Sequence, residues 1–316
     1  MKPGKKLLVL FGLWIVLTAL FLLWNLTSQN IGYHLPRRLV KLSAICLTGG
    51  ATAYSTVVFQ IITGNRILTP SIMGLDSLYQ LIQTAIILAL GARQISMMTR
   101  TTDYLVSIVL MMVFSLFLFH IVFRRGSHRI FETLLIGMMM GFLFSGLASF
   151  FQVMIDPNEY LMVQARIFAS FNNVNTTLLA ISFLLMAVAV CYGWSTREIL
   201  DVLSLGRDMA INLGVNYDRS VRRLMLLVAI MVSISTALIG PITFLGLLAA
   251  NLSRQLLGTY RHSYLIPGAV LCALVALVGG QFLFERVFSF STPISVIIHF
   301  FGGIYFLYLM IKESRL

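Results

Sequence analysis

Leu7-Leu8-Val9-Leu10-Phe11-Gly12-Leu13-Trp14-Ile15-Val16-Leu17-Thr18-Ala19-Leu20-Phe21-Leu22-Leu23-Trp24-Asn25-Leu26 is a run of twenty residues without a charge. A helix of that length is about 30 Å long, the thickness of a bilayer's hydrocarbon core. A second stretch, Asp103 to Phe123, holds no Lys, Arg, Asp or Glu after its first residue. Membrane strands would show roughly ten-residue segments of alternating polarity. These runs are continuous, so the spans are expected to be helices, whose backbone groups satisfy one another.

The rest of the composition agrees. Of 316 residues, 59% are hydrophobic and 11% charged, against about a quarter charged in soluble domains. Cutting the chain where charge, Pro, Gly and Asn cluster leaves ten spans, at 7–26, 39–59, 75–92, 103–123, 131–153, 174–193, 222–240, 242–257, 264–284 and 293–311. The eighth is short and parted from the seventh only by Gly240-Pro241, which stops one helix and pre-sets the next. The opening Met1-Lys2-Pro3-Gly4-Lys5-Lys6 mimics a secretory leader, but Asn25-Leu26-Thr27-Ser28-Gln29 offers no small-x-small cleavage site. A retained first helix is expected. The fold class is therefore an all-α polytopic membrane protein of about ten transmembrane helices, one transmembrane domain over 1–316.

The net charge of +12 reads here as a topology signal rather than a nucleic-acid footprint. With the N-terminus inside, inner segments hold sixteen Lys and Arg and outer segments seven, among them Arg37, Arg38, Lys41, Arg166 and Arg286. Basic residues are retained on the cytoplasmic side, so both termini are expected in the cytoplasm.

Several functions lack their residues. All eleven acids fall at span ends or in loops, so no intramembrane carboxylate relay of the kind ion-driven transporters use is visible. No H-E-x-x-H, G-x-S-x-G or G-x-x-x-x-G-K-[ST] motif occurs. Neither hydrolysis nor ATP cleavage is expected on this chain, and no catalytic residue is assigned. Cys46, Cys191 and Cys272 sit in apolar runs, and the sixteen methionines read as adaptable packing; no metal site and no cofactor is expected. Gly137, Gly141, Ser145 and Ser149 recur every four residues, a stripe that lets a second helix approach closely. It suits either ordinary packing or an interface with a partner subunit along a pathway.

Three motifs carry more. Asn65-x-x-x-x-Pro70-x-x-x-Gly74 builds a compact inner turn. Within the inner segment 196–216, Leu203-Ser204-Leu205-Gly206-Arg207-Asp208-Met209-Ala210-Ile211-Asn212-Leu213-Gly214 places Leu205, Met209 and Leu213 at helical spacing. That pattern describes a short amphipathic helix bounded by Gly206 and Gly214, suited either to the membrane surface or to a groove on a partner. Gly240-Pro241-Ile242-Thr243-Phe244-Leu245-Gly246-Leu247 follows. Together, in this order and over essentially the whole chain, the motifs resemble the iron-chelate permease family of ABC importers.

The resemblance implies a cobalamin-importer-like fold and an importer permease for a ferric siderophore. It implies a coupling segment at Leu203, Leu205, Gly206, Arg207, Asp208, Met209, Ala210, Leu213 and Gly214 that docks on ATPase subunits, where ATP and Mg would be held. It also implies a siderophore-binding protein, periplasmic or lipid-anchored, received at the outer face by Arg37 and Arg286, with Arg38 beside them. Ala250-Asn251-Leu252-Ser253-Arg254 stands where many relatives read Pro-His-x-x-Arg. That variant looks like the branch serving catechol-type siderophores with two different permease chains, so a heterodimer is expected over a homodimer. The competing class is a secondary transporter driven by an ion gradient.

Overall fold

A computed structural model describes residues 2–26, 30–95, 100–124, 130–172, 174–286 and 294–313. Pro293, Arg125, Arg129 and Arg315 lie outside these.

Among the described residues, ten long helices account for the ten expected spans: α1 Pro3–Leu23, α2 Ile31–Thr63, α3 Leu75–Ile95, α4 Arg100–Arg124, α5 Ile130–Met154, α7 Thr176–Ser195, α10 Tyr217–Ile239, α11 Thr243–Leu257, α12 His262–Arg286 and α13 Ile294–Glu313. Three short helices lie between them, α6 Pro157–Ile167, α8 Arg197–Leu203 and α9 Arg207–Asn212, and a 3-10 turn spans Pro70–Met73. Six of the long helices are long and apolar enough to cross a membrane, and α3, α4 and α13 contain shorter apolar stretches. α11 has fifteen residues. It matches the short eighth span.

Local chemistry sets the ends. Pro3 opens α1 in the first turn, where its missing N–H costs nothing. Gly64, in the left-handed region at φ 64°, closes α2, and the Asn65 side chain then accepts from Ile67 N at 2.8 Å to tighten the turn. Asp156 and Asn175 cap α6 and α7 with their side-chain oxygens. α2 starts eight residues before its expected span, at Ile31 rather than 39, running straight through Pro36.

The bundle is sorted by lipid exposure. In α2, 78% of the most apolar window is buried, in α1 only 6%. α2, α10, α11 and α12 form the centre, while α1, α5 and α7 turn large apolar side chains such as Leu8, Phe142 and Leu184 outward. Lipid tails are as apolar as leucine, so that exposure costs nothing in a bilayer. α6 docks on α3 through buried Val163 against Ile87. Arg166 holds it there, donating to Asp103 Oδ2 at 2.7 Å and to Gln83 Oε1 at 3.1 Å.

Candidate functional site

Two of the three motifs, the Asn65–Gly74 turn and the Gly240–Leu247 stretch, lie far apart in sequence and share one lining within the bundle. After Gly64 the chain turns back among the helices. Arg66 O accepts from Gln60 Nε2 at 2.6 Å and from Asn251 Nδ2 at 3.0 Å, and Arg254 reaches back to Gln60 Oε1. The Asn251 and Arg254 of the Ala-Asn-Leu-Ser-Arg segment thus brace the Asn65 to Gly74 loop against α2 and α11. Buried backbone carbonyls need such partners. Gly246 lets α11 close on α2, since a Cβ there would fall 2.0 Å from Thr56 Oγ1.

The inner segment forms a helical elbow, α8 then α9, turning at Gly206 (φ 94°) and leaving at Gly214 (φ 83°). Its inward side is anchored: Leu200, Leu203 and Ala210 are buried. Asp201 accepts from the backbone N of His262 at 2.9 Å and meets its Nδ1 at 2.6 Å, which ties α8 to the first residue of α12. Arg207 lies 3.9 Å from Asp218 and over the Tyr217 ring. The outward side is apolar: Leu205, Met209 and Leu213 are each at least 60% exposed, and Asp208 is exposed beside them. A short helix backed by a rigid bundle with a bare apolar row has the shape of a plug for a groove. The Asp201 and His262 pairing spans sixty-one residues, and no local pattern in the sequence signals it.

At the other end, the start of α2, Phe171, Asn172, Val174 and Thr176, and the end of α12 line a basin of about 850 Å³. Arg37 is exposed there and stacks on Tyr33 at 4.0 Å, and Arg286 is exposed across the basin. Arg38 does something else. Its Nη1 donates to Leu22 O at 2.7 Å and Trp24 O at 2.9 Å, so the side chain is buried and closes the C-terminal end of α1, whose last carbonyls have no helical partner. In this chain, then, Arg38 caps α1. Lys41 pairs with Glu285 at 2.6 Å, leaving Arg37 and Arg286 as the basin's exposed guanidinium groups among the described residues.

The small-residue stripe is used within the chain. A Cβ on Gly137 would come within 3.0 Å of Met73 Cα, and one on Gly141 within 3.1 Å of Gly74 Cα. Both glycines are buried against the 3-10 turn, whereas Ser145 is half-buried and Ser149 is exposed, its hydroxyl donating to Ser145 O at 2.9 Å.

One acid departs from the sequence expectation. Asp76 opens α3, yet α3 itself begins inside the bundle, because the 64–74 loop has already entered it. Asp76 Oδ2 accepts from Thr243 Oγ1 at 3.1 Å, at the α10 to α11 break. The terminal position of an acid in a helix says nothing of its depth when the helix starts below the surface.

Crossing helices around a braced loop, a helical elbow at one end and a basic basin at the other are the architecture of a multi-pass membrane protein. The chain belongs to the FecCD transport family, whose model matches residues 7–312. It is 53% identical to the petrobactin import system permease protein YclO of Bacillus subtilis (strain 168), over 100% of this chain and 99% of that one. It is 35% identical to the petrobactin import system permease protein FatC of Bacillus anthracis, over 96% of this chain and 90% of that one. A solved structure described as an inward-facing conformation of a putative metal-chelate type ABC transporter shares the fold, with TM-score 0.85 at 23% identity, covering 98% of this chain and 100% of that one.

Proposed function

We propose that the chain is a permease subunit of an ATP-binding-cassette importer that moves a ferric siderophore, of the petrobactin class, inward across the bacterial cytoplasmic membrane. The observation that carries this is the elbow at 197–212, whose buried side is tied to α12 while its apolar row is exposed. Separate ATPase subunits, holding ATP and Mg, engage Leu205, Gly206, Met209 and Leu213. Their closure pushes α8 and α9 and, through Asp201 and His262, the inner end of α12. Both termini lie in the cytoplasm, as the sixteen to seven distribution of basic residues indicates. The second permease is a different chain. Bacillus anthracis carries two petrobactin import system permease proteins, FatC and FatD, that match this chain at 35% and 26% identity.

The test is reconstitution in proteoliposomes with the ATPase, partner permease and binding protein, using ferric petrobactin as the probe. Uptake is expected to require ATP and all subunits. Uptake by this chain alone, driven by an ion gradient, overturns the assignment.

The outer basin receives the binding protein's acidic lobe. Arg37→Glu together with Arg286→Glu is expected to slow docking about tenfold or more at low salt, with the deficit shrinking as salt rises, because rim charges act mainly on association. Surface plasmon resonance on the assembled complex reads this directly. Unchanged association rates at low salt remove the site.

A further inference from the structure

On the side where α1 and α7 turn apolar side chains outward, two hollows meet at the first turn of α1, at the elbow's end of the bundle. One is an open basin of about 580 Å³ walled by the start of α1 and by Thr259, Arg261 and Tyr264. The other is a groove of about 650 Å³ between α1, α2, α7 and α12. Gly4 and Leu8 stand in the walls of both, so the two are continuous. Their chemistries differ. The basin holds three exposed cations, Lys2, Lys5 and Arg261, and no carboxylate among its described lining residues. Among the described residues none of the three forms an ion pair. Thr259 Oγ1 accepts from the backbone N of Arg261 at 3.4 Å, which leaves its own proton to donate. Lys6 next door is committed elsewhere: its Nζ donates to Leu256 O at 2.7 Å and pins the start of α1 to the last turn of α11.

The groove carries no charged side chain among its described lining residues. Two glycines hollow it: a Cβ on Gly4 would meet nothing within 4 Å, and one on Gly50 only Val270 Cγ1 at 3.9 Å. It follows α1 from Gly4 to Phe11, about 10 Å of helix. Trp194, one residue from the end of α7, stands at its elbow end, with the Arg197 guanidinium 5.1 Å from that ring. Trp settles where hydrocarbon gives way to headgroups.

We propose that the joined hollows are a site for one anionic phospholipid, its phosphate held by Lys2, Lys5 and Arg261 and one acyl chain laid along α1 in the groove. A small anion would satisfy the basin and leave the groove bare. An apolar helix would fill the groove and leave three cations unmatched. A lipid with a net negative headgroup has both parts in the order in which the protein presents them, and basic pockets beside membrane helices bind such headgroups. The bound lipid would splint α1 to α7 and α12 beside the elbow. Its retention is read without ATP or transport, so it stands apart from the importer assignment.

The experiment uses the full-length protein, delipidated in a neutral detergent and titrated with phosphatidylglycerol or phosphatidylcholine of identical chains under native mass spectrometry. Phosphatidylglycerol is expected to fill one site per chain about tenfold more tightly than phosphatidylcholine. Each cation at a membrane surface contributes roughly fivefold, so Lys5→Gln with Arg261→Gln should erase that preference and leave general lipid retention in place. Val190→Trp, at an exposed position on α7, should obstruct the groove and weaken both lipids. If the charge variant does not fold, Lys2→Gln with Lys5→Gln carries the comparison. Equal affinity for the two lipids, a preference unchanged in the charge variants, or full retention in Val190→Trp overturns the proposal and leaves annular lipid only. Displacement of phosphatidylglycerol by glycerol 3-phosphate at matching concentration also overturns it, and leaves a site for small anions.

Discussion

A valine at position 74 is expected to abolish accumulation of folded protein. Gly74 sits at φ 79°, a left-handed conformation that a β-branched residue adopts only under strain. A Cβ there would lie 2.8 Å from Gly141 Cα, 2.9 Å from Gly141 N and 3.1 Å from Gly137 O. All three are backbone atoms, so no side chain can swing aside. Left-handed strain costs about 1–3 kcal/mol and overpacking about as much again, a large fraction of the roughly 5–15 kcal/mol that keeps a domain folded. Gly146→Val is the control. It lies on the same α5 helix, exposed, with nothing within 4 Å of a Cβ, and it should behave as the parent. Detergent size-exclusion profiles and thermal unfolding read both variants; a monodisperse Gly74→Val with the parent's Tm would show that the turn and α5 are not packed as described.

Replacing Leu205, Met209 and Leu213 together by Asp should eliminate ATP-driven uptake and capture of the ATPase while leaving the fold intact. Each side chain is at least 60% exposed in this chain, so little internal packing is lost. Burying an exposed Leu or Met in a partner groove contributes about 1.5–3 kcal/mol, and each factor of ten in affinity is about 1.4 kcal/mol. Losing even half of three such contributions weakens docking by roughly 100-fold, before the cost of burying three carboxylates is counted. Co-purification of the ATPase, with Tm of the permease measured in parallel, separates the two effects. Replacing Gly206 and Ala210 with Trp acts from the opposite side: Ala210 is buried under the elbow, so that pair should misplace α9 and block assembly too. Retained assembly and uptake in either variant would move the motor contact elsewhere.

The ten spans were legible because lipid removes ambiguity: a chain crossing hydrocarbon must pair its own backbone groups and hide its charges, so helix-length apolar runs announce themselves. The elbow was legible for a related reason. Leu205, Met209 and Leu213 repeat at helical spacing between two glycines, and both glycines adopt the positive φ that such turns need. The stripe was half legible. Spacing showed that something approaches Gly137 and Gly141 closely, but the thing that approaches is the Met73 and Gly74 backbone of the same chain.

What the sequence determined alone was therefore the number and kind of crossing elements, the unequal sharing of positive charge between alternate connections and the order of motifs that marks the family. Those depend on periodicity and composition, which are local. Tertiary structure alone decided that Arg38 caps α1, that Asp201 grips His262, and that Asp76 lies inside the bundle against Thr243. Each depends on where a distant segment happens to end. A side chain's depth and partner follow from the path of the whole chain, and nothing within a turn or two of the residue records it.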